Sequence, residues 1–147
     1  MRWTLGDGDF TAGRYSRGHT WSFDGGVEVP ASASPQVVPL PDSVAEAVDP
    51  EEAFVAALSS CHMLFFLSLA AEKGVVVESY RDEAEGRMRK GDDGRIRITD
   101  VTLRPEARYR SGTAPDPALI EALHHEAHER CFIANSVTAG IETVIVS

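Results

Sequence analysis

The segment Asp49–Gly74, DPEEAFVAALSSCHMLFFLSLAAEKG, decides the fold of this chain. Asp49 is suited to cap a helix, Pro50 to occupy its first position, and Glu52 to close a capping box with Asp49. Gly74 is placed to end the helix. At 1.5 Å per residue, roughly 24 residues form a rod of about 36 Å. The segment therefore predicts one long central helix.

The apolar residues of this helix predict its buried face. Five residues recur every three or four positions and share one side, namely Phe54, Leu58, Cys61, Phe65 and Leu69. His62 points about 100° away from Cys61 and is not automatically the base of that thiol. Polar residues interrupt the apolar run, which favours a core helix over a membrane span of about 20 apolar residues.

Composition limits the class of protein. The chain has 147 residues, 43% of them hydrophobic, which predicts a single domain over residues 1–147. A net charge of -9 argues against nucleic-acid binding. The N-terminal residues contain no long apolar run, so we expect no secretory signal and a cytoplasmic location. The chain has two cysteines and no CxxC motif, which argues against a thiolate zinc site.

The remaining sequence predicts strands and a second helix. Alternation from Tyr15 to Phe23 followed by DGG predicts an N-terminal hairpin, and a proline-rich loop over 30–48 leads to the long helix. Residues 75–110 predict antiparallel strands with a turn at GDDG (91–94) and a bulge near Asp100. The second helix is predicted from Pro117 to about Arg130, with Leu119, Ile120, Leu123 and Ala127 inside. A short turn at 135–136 and a final strand over 141–146 are expected to follow.

The two cysteines, Cys61 and Cys131, are either a redox pair or two small core residues. Burial in the middle of a helix makes a thiol inert, so reactivity requires a nearby cation. Arg17, on the N-terminal strand, is the best candidate for that cation. Glu51 would then hold the guanidinium by a bidentate contact.

The histidines offer a competing site. His124 and His128 are four residues apart on the second helix, so both can face one ligand. Together with Cys131 and Glu121 or Glu129 they give a possible metal site. The alternative, which we favour, is a solvated polar face near the helix C-terminus, where histidine is favourable.

DPEEAFVAALSSCHM resembles the first cysteine segment of the OsmC/Ohr family, the osmotically inducible and organic hydroperoxide resistance proteins, and HERCFIANSV resembles the second. YSRGHTWSFDGG and SSCHM are closer to the OsmC-like branch. The resemblance implies an α+β OsmC-like fold: N-terminal strands, a long central cysteine helix, an antiparallel strand meander, a second helix and a final strand, in an intertwined homodimer.

The resemblance also implies a function. Family members are thiol peroxidases that reduce organic hydroperoxides without a metal or organic cofactor. Cys61 would attack the peroxide, Cys131 would resolve the sulfenic acid as a disulfide, and an external dithiol, lipoyl-type or thioredoxin-like, would reduce it. Arg17 (or the nearby Arg14) would match the active-site arginine and Glu51 its partner.

Two departures from the family pattern bear on this function. Phe132 follows the second cysteine where proline is frequent, and His62 follows the first where an aromatic residue is frequent. Neither change removes a reacting atom. The alternative function is a non-catalytic protein on the same fold that binds a small lipid-like ligand.

Overall fold

A computed structural model describes residues 1–112 and 114–146 of the chain. The chain divides into two compact units, Met1–Phe54 and Val55–Ser147. The long helix α1 (Pro50–Glu72) begins in the first unit and continues in the second. A single domain over residues 1–147 stays a prediction.

The first unit contains the predicted hairpin. Strands β1 (His19–Ser22) and β2 (Glu28–Ala31) are antiparallel, and the Phe23 N–H donates to the Val27 carbonyl across the DGG turn. β1 is shorter than the alternation predicts. It begins only at His19, because the Arg17 N–H donates to the Asp42 carbonyl at 2.8 Å instead of to a neighbouring strand.

Both ends of α1 lie where the sequence places them. The Glu52 N–H donates to Asp49 Oδ1 at 2.7 Å, and the Asp49 N–H donates to Glu52 Oε2 at 3.2 Å, which completes the capping box. Gly74 follows the helix with a φ of +72°, a conformation that glycine adopts without a steric penalty.

The buried face of α1 differs from the predicted one. Its buried residues are Leu58, His62, Phe66, Leu69 and Ala70. Of the predicted set, Leu58 and Leu69 are buried, whereas Phe54, Cys61 and Phe65 are only half-buried. Apolar residues lie on several sides of this helix, so their spacing alone fits more than one face.

Within the described residues, α1 is also the one helix long and apolar enough to cross a membrane, by length and composition only. The core helix of a soluble protein passes the same test.

The second unit contains two small sheets. Strand β3 (Val77–Asp82) pairs antiparallel with β6 (Pro105–Tyr109). Strands β4 (Glu85–Lys90) and β5 (Ile96–Leu103) form the hairpin that GDDG predicts, and β7 (Gly140–Thr143) runs parallel to β5. The first and last strands of the predicted meander therefore pair with each other, and the hairpin lies between them in sequence.

The predicted bulge is present in β5. Arg87 pairs with Asp100 and Met88 with Ile98, so Thr99 is the extra residue. Val101 is buried beyond the bulge, whereas Ile96 before it is 69% exposed.

Helix α2 (Pro117–Arg130) has the predicted bounds. Its N-cap, Asp116, accepts a hydrogen bond from the Leu119 N–H at 2.9 Å. The core of this unit combines residues of α1 and α2 with one residue after α1: Phe66, Leu69, Ala70, Val75, Leu123 and Ala127. A single 3-10 turn, Ala134–Ser136, lies where a short turn is predicted.

Candidate active site

The two thiols meet in the second unit. Cys61 lies on α1 and is half-buried, and Cys131 is the C-terminal cap of α2 and is 1% exposed. Both cysteines are free, and the Cys61 thiol lies close enough to Cys131 to contribute to the raised pKa of the Cys131 thiol. The fold thus brings together two oxidisable sulfurs from residues 70 positions apart in the sequence.

The surroundings of Cys131 make it the poorer nucleophile. Burial, together with the hydrogen bond to the Cys61 thiol, raises the pKa of Cys131 to about 11. The Ala134 N–H donates to the Cys131 sulfur at 3.3 Å and opposes part of this shift. Cys131 therefore remains a protonated thiol near neutral pH, a state suited to donating a proton and not to attacking a peroxide.

Arg17 and Glu51 lie in the first unit and do not pair there. The Arg17 guanidinium donates to the Gly13 and Tyr15 carbonyls, lies 3.8 Å above the Tyr15 ring, and is 3.9 Å from Asp42. Among the described residues Glu51 has no ion-pair partner. The predicted Arg17–Glu51 contact is therefore replaced by an Arg17–Asp42 contact, because the loop before α1 supplies a closer carboxylate.

A histidine fixes the backbone at Arg17. The Trp21 Nε1–H donates to His19 Nε2 at 2.8 Å, and an indole N–H can only donate. His19 Nδ1 therefore carries the ring proton and donates it to the Arg17 carbonyl at 2.8 Å. By contrast, Arg14 pairs with Asp9 at 3.0 Å, and its side chain is 74% exposed.

His62 and His124 form a buried pair that sequence reasoning missed. His62 Nε2 and His124 Nδ1 are 2.9 Å apart, and the side chains belong to residues that are 1% and 3% exposed. Burial lowers the pKa of each to about 4, so both rings are neutral near pH 7. The solvated face predicted for His124 is thus wrong. His62 lies four residues after Leu58 and four before Phe66, so all three share one face of α1. A polar residue on this apolar face is the signal from which the pair could have been predicted.

Metal binding receives no support from this geometry. Over residues 1–112 and 114–146, no group of three or more His, Cys, Asp or Glu side chains is placed to hold a metal ion. His124 is directed at His62, while His128 is only half-buried.

Strand β3 places two further polar groups near this site. Asp82 accepts hydrogen bonds from the Ser59 hydroxyl and, at 2.6 Å, from the Arg104 N–H. Burial and the nearby Asp82 raise the pKa of Tyr80, whose hydroxyl has no hydrogen-bond partner within the described residues. Asp82 also acts electrostatically on His62, so β3 lies against the same part of α1.

Exposed apolar side chains lie near the two cysteines in the chain. Leu64, three residues after Cys61, is 60% exposed, and Phe132, next to Cys131, is 73% exposed. The Phe132 ring meets the Phe65 ring edge-on, with 5.1 Å between ring centroids. An exposed apolar surface therefore adjoins both cysteines.

Comparison with known families identifies the group of proteins. The family model described as OsmC-like protein matches residues 42–146, which include both cysteines and all of the second unit except Ser147. The chain belongs to the OsmC-like family. A search of curated proteins found no match.

Solved structures share the OsmC-like fold. An OsmC-like protein of unknown function from Vibrio cholerae O1 biovar eltor is 53% identical, with a TM-score of 0.96 over 99% of this chain and 95% of that one. The organic hydroperoxide resistance protein OhrB of Bacillus subtilis is 20% identical, with a TM-score of 0.66 over 90% and 93%. An organic hydroperoxide resistance protein from Elizabethkingia anophelis is 16% identical, with a TM-score of 0.69 over 99% of this chain and 95% of that one. These likenesses confirm the predicted α+β OsmC-like fold.

Proposed function

We propose that this OsmC-like protein is a thiol-dependent peroxidase that reduces organic hydroperoxides in defence against oxidative stress. The contact between the Cys61 and Cys131 thiols carries the proposal. Membership of the family and the names of the organic hydroperoxide resistance proteins that share the fold support it.

The reacting atoms belong to the two cysteines, the hydroperoxide and an external reductant. The Cys61 thiolate attacks the outer peroxide oxygen, the O–O bond breaks, and the departing alkoxide takes a proton to leave as the alcohol. The resulting Cys61 sulfenic acid is attacked by the Cys131 sulfur, which gives a disulfide and water. An external dithiol, lipoyl-type or thioredoxin-like, supplies two electrons and two protons to restore both thiols.

The two thiols have different environments, which supports these roles. Cys131 is almost fully buried and its pKa is raised, so the half-buried Cys61 is the attacking sulfur. Arg17 is assigned to stabilise the thiolate, with Glu51 as its partner, as the family resemblance implies. For this role Arg17 would exchange Asp42 and the Gly13 and Tyr15 carbonyls for the thiolate.

The surface beside the thiols supports an organic substrate and a second subunit. Leu64 and Phe132 give an apolar approach that favours a hydrophobic hydroperoxide over hydrogen peroxide. A homodimer that partly covers this surface, a cytoplasmic location and the absence of a bound cofactor belong to the same proposal.

The test is consumption of cumene hydroperoxide or t-butyl hydroperoxide in the presence of a dithiol. We expect the wild type to consume peroxide and Cys61→Ser to lose this activity. After one equivalent of peroxide, mass spectrometry should find a Cys61–Cys131 disulfide. Equal consumption by the wild type and Cys61→Ser would overturn the mechanism.

The same measurements separate the peroxidase from a ligand-binding protein with idle cysteines. That alternative predicts no peroxide consumption and slow alkylation of Cys61 by iodoacetamide, at the rate of an ordinary thiol.

A further inference from the structure

The histidine pair connects the two helices that carry the cysteines. His62 follows Cys61 on α1, and His124 lies seven residues before Cys131 on α2. The 2.9 Å contact between His62 Nε2 and His124 Nδ1 is therefore a second bridge between the same two helices, beside the thiol contact.

His124 is held on two sides by α1. Its ring is nearly parallel to that of His62, at 6°, and is stacked on Phe66 at a centroid distance of 4.2 Å and an angle of 15°. His62 and Phe66 are one helical turn apart, so one turn of α1 fixes both the edge and the face of the His124 ring. Few orientations of α2 would satisfy both contacts.

The hydrogen bond has a direction and a defined protonation state. One ring must donate and the other accept, so at least one ring is neutral. The outer atoms, His62 Nδ1 and His124 Nε2, are buried without a hydrogen-bond partner among the described residues, so this pair is a costly feature of the core. Asp82 and Tyr80 from β3 and His128 from α2 are the other titratable groups around it.

The two bridges are well separated along α2. Seven residues at about 1.5 Å each place His124 and Cys131 about 10 Å apart along the helix direction. Leu123 and Ala127 already pack in the core with α1, and the two bridges add polar contacts at the middle and at the end of α2. The position of Cys131 at the end of α2 thus depends on what holds His124.

We propose that the His62–His124 hydrogen bond is a positioning contact that sets the approach of the Cys131 sulfur to the Cys61 sulfur. It affects formation of the Cys61–Cys131 disulfide and not the attack on peroxide. That disulfide is part of the proposed function, on which this inference therefore rests. The pair touches neither substrate nor reacting atoms, so its effect is on the distance and orientation of the second thiol.

The effective concentration of the two thiols measures this approach without peroxide. The protein is equilibrated in mixtures of reduced and oxidised glutathione, and the fraction with a Cys61–Cys131 disulfide is determined by mass spectrometry. Loss of a net hydrogen bond corresponds to about a tenfold fall in the disulfide equilibrium constant. We expect such a fall in His62→Leu and in His124→Leu.

Matched amide variants test the geometry. The amide group of glutamine reaches the position of a histidine Nε2, and that of asparagine the position of Nδ1. We therefore expect His62→Gln and His124→Asn to keep most of the wild-type disulfide constant, and His62→Asn and His124→Gln to lose it. His125→Leu, on the exposed side of α2, is the control and should match the wild type.

The double variant His62→Leu, His124→Leu separates positioning from folding. Replacing both partners of a buried hydrogen bond with apolar groups restores much of the stability that a single replacement removes. We expect its thermal stability to recover while its disulfide constant stays low. The proposal would be overturned if the double variant recovered both its thermal stability and its disulfide constant. Equal disulfide constants for the matched and mismatched amide variants would also overturn it.

Failure of the positioning proposal can be distinguished from failure of the proposed peroxidase function. If the wild type consumes no peroxide but its glutathione constants follow the pattern above, positioning stands and the peroxidase fails. If the wild type consumes peroxide but the disulfide constants of the His62 and His124 variants equal that of the wild type, the peroxidase stands and the positioning role fails.

Discussion

The Cys61 and Cys131 thiols lie close together although Cys61 lies within α1 and Cys131 caps the C-terminus of α2. The contact is asymmetric, because Cys131 is almost fully buried and Cys61 is half-buried. A pair of thiols with such different environments is suited to two successive roles.

Cys131→Ser should separate the two chemical steps. We expect a single round of peroxide reduction, because Cys61 is intact, followed by accumulation of a Cys61 sulfenic acid that dimedone traps. Turnover with a dithiol should fall by roughly tenfold or more, because the disulfide no longer forms. Wild-type turnover in this variant, with no trapped adduct, would show that Cys131 does not resolve the intermediate.

Oxidation should stabilise the protein. A Cys61–Cys131 disulfide closes a loop of about 70 residues, and loop closure of that size stabilises by about 4 kcal/mol in the chain-entropy model. The urea midpoint should therefore rise when the wild type is treated with one equivalent of peroxide. Cys61→Ser is the control, and its midpoint should not respond. An unchanged or lower wild-type midpoint would indicate that the bridge strains the native structure.

The capping box should contribute measurably to stability. Asp49→Ala removes the acceptor of the Glu52 N–H at the start of α1, which costs about 1 kcal/mol. Asp49→Asn should retain most of the effect, since an amide oxygen also accepts. Asp7→Ala removes the same charge from an exposed position and is the control. If Asp49→Ala and Asp7→Ala unfold at the same urea concentration, the box is not stabilising.

Stability should decrease on mild acidification. His62 and His124 have pKa values of about 4 in the native state because they are buried, against 6.5 for an exposed imidazole. As pH falls from about 6.5 to about 4, the unfolded chain binds protons that the native state does not, so the free energy of unfolding falls. Above pH 6.5 this contribution is fully present.

Urea unfolding at pH 7 and pH 5 checks this dependence. The wild-type midpoint should drop by more than that of the variant His62→Leu, His124→Leu, which lacks both titrating groups. Equal drops would mean that other groups cause the pH dependence.

The sequence predicted those elements whose ends carry local signals. Asp49 and Gly74 bound α1, Asp116 starts α2, and the change of parity around Asp100 marks the bulge at Thr99. In each case the residues that decide the feature are neighbours in the chain. Such features depend on hydrogen bonds and backbone angles that a few adjacent residues determine.

Features that join distant segments were not predictable in this way. The pairing of β3 with β6 and the parallel position of β7 depend on how the whole second unit packs. The burial of His62 depends on His124, 62 residues later, because an imidazole is tolerated in a core only with a partner. His124 was predicted to be solvated because sequence spacing does not reveal its contact with His62.

The site was predicted in part. Family resemblance pointed to Cys61 and Cys131, and the structure brings them together. Arg17 was expected to face Glu51, but the guanidinium lies beside Asp42 and over Tyr15. A long flexible side chain takes whichever acceptors its loop offers, and sequence spacing does not reveal them.

The buried His62–His124 pair also limits how this sequence can diverge. Exchanging one imidazole for an apolar residue leaves a buried nitrogen unpaired, which costs about 1–3 kcal/mol, whereas exchanging both is close to neutral. The route from the polar pair to an apolar pair therefore passes through a less stable intermediate. Among descendants of a common ancestor, positions 62 and 124 are expected to be inherited together and to change together.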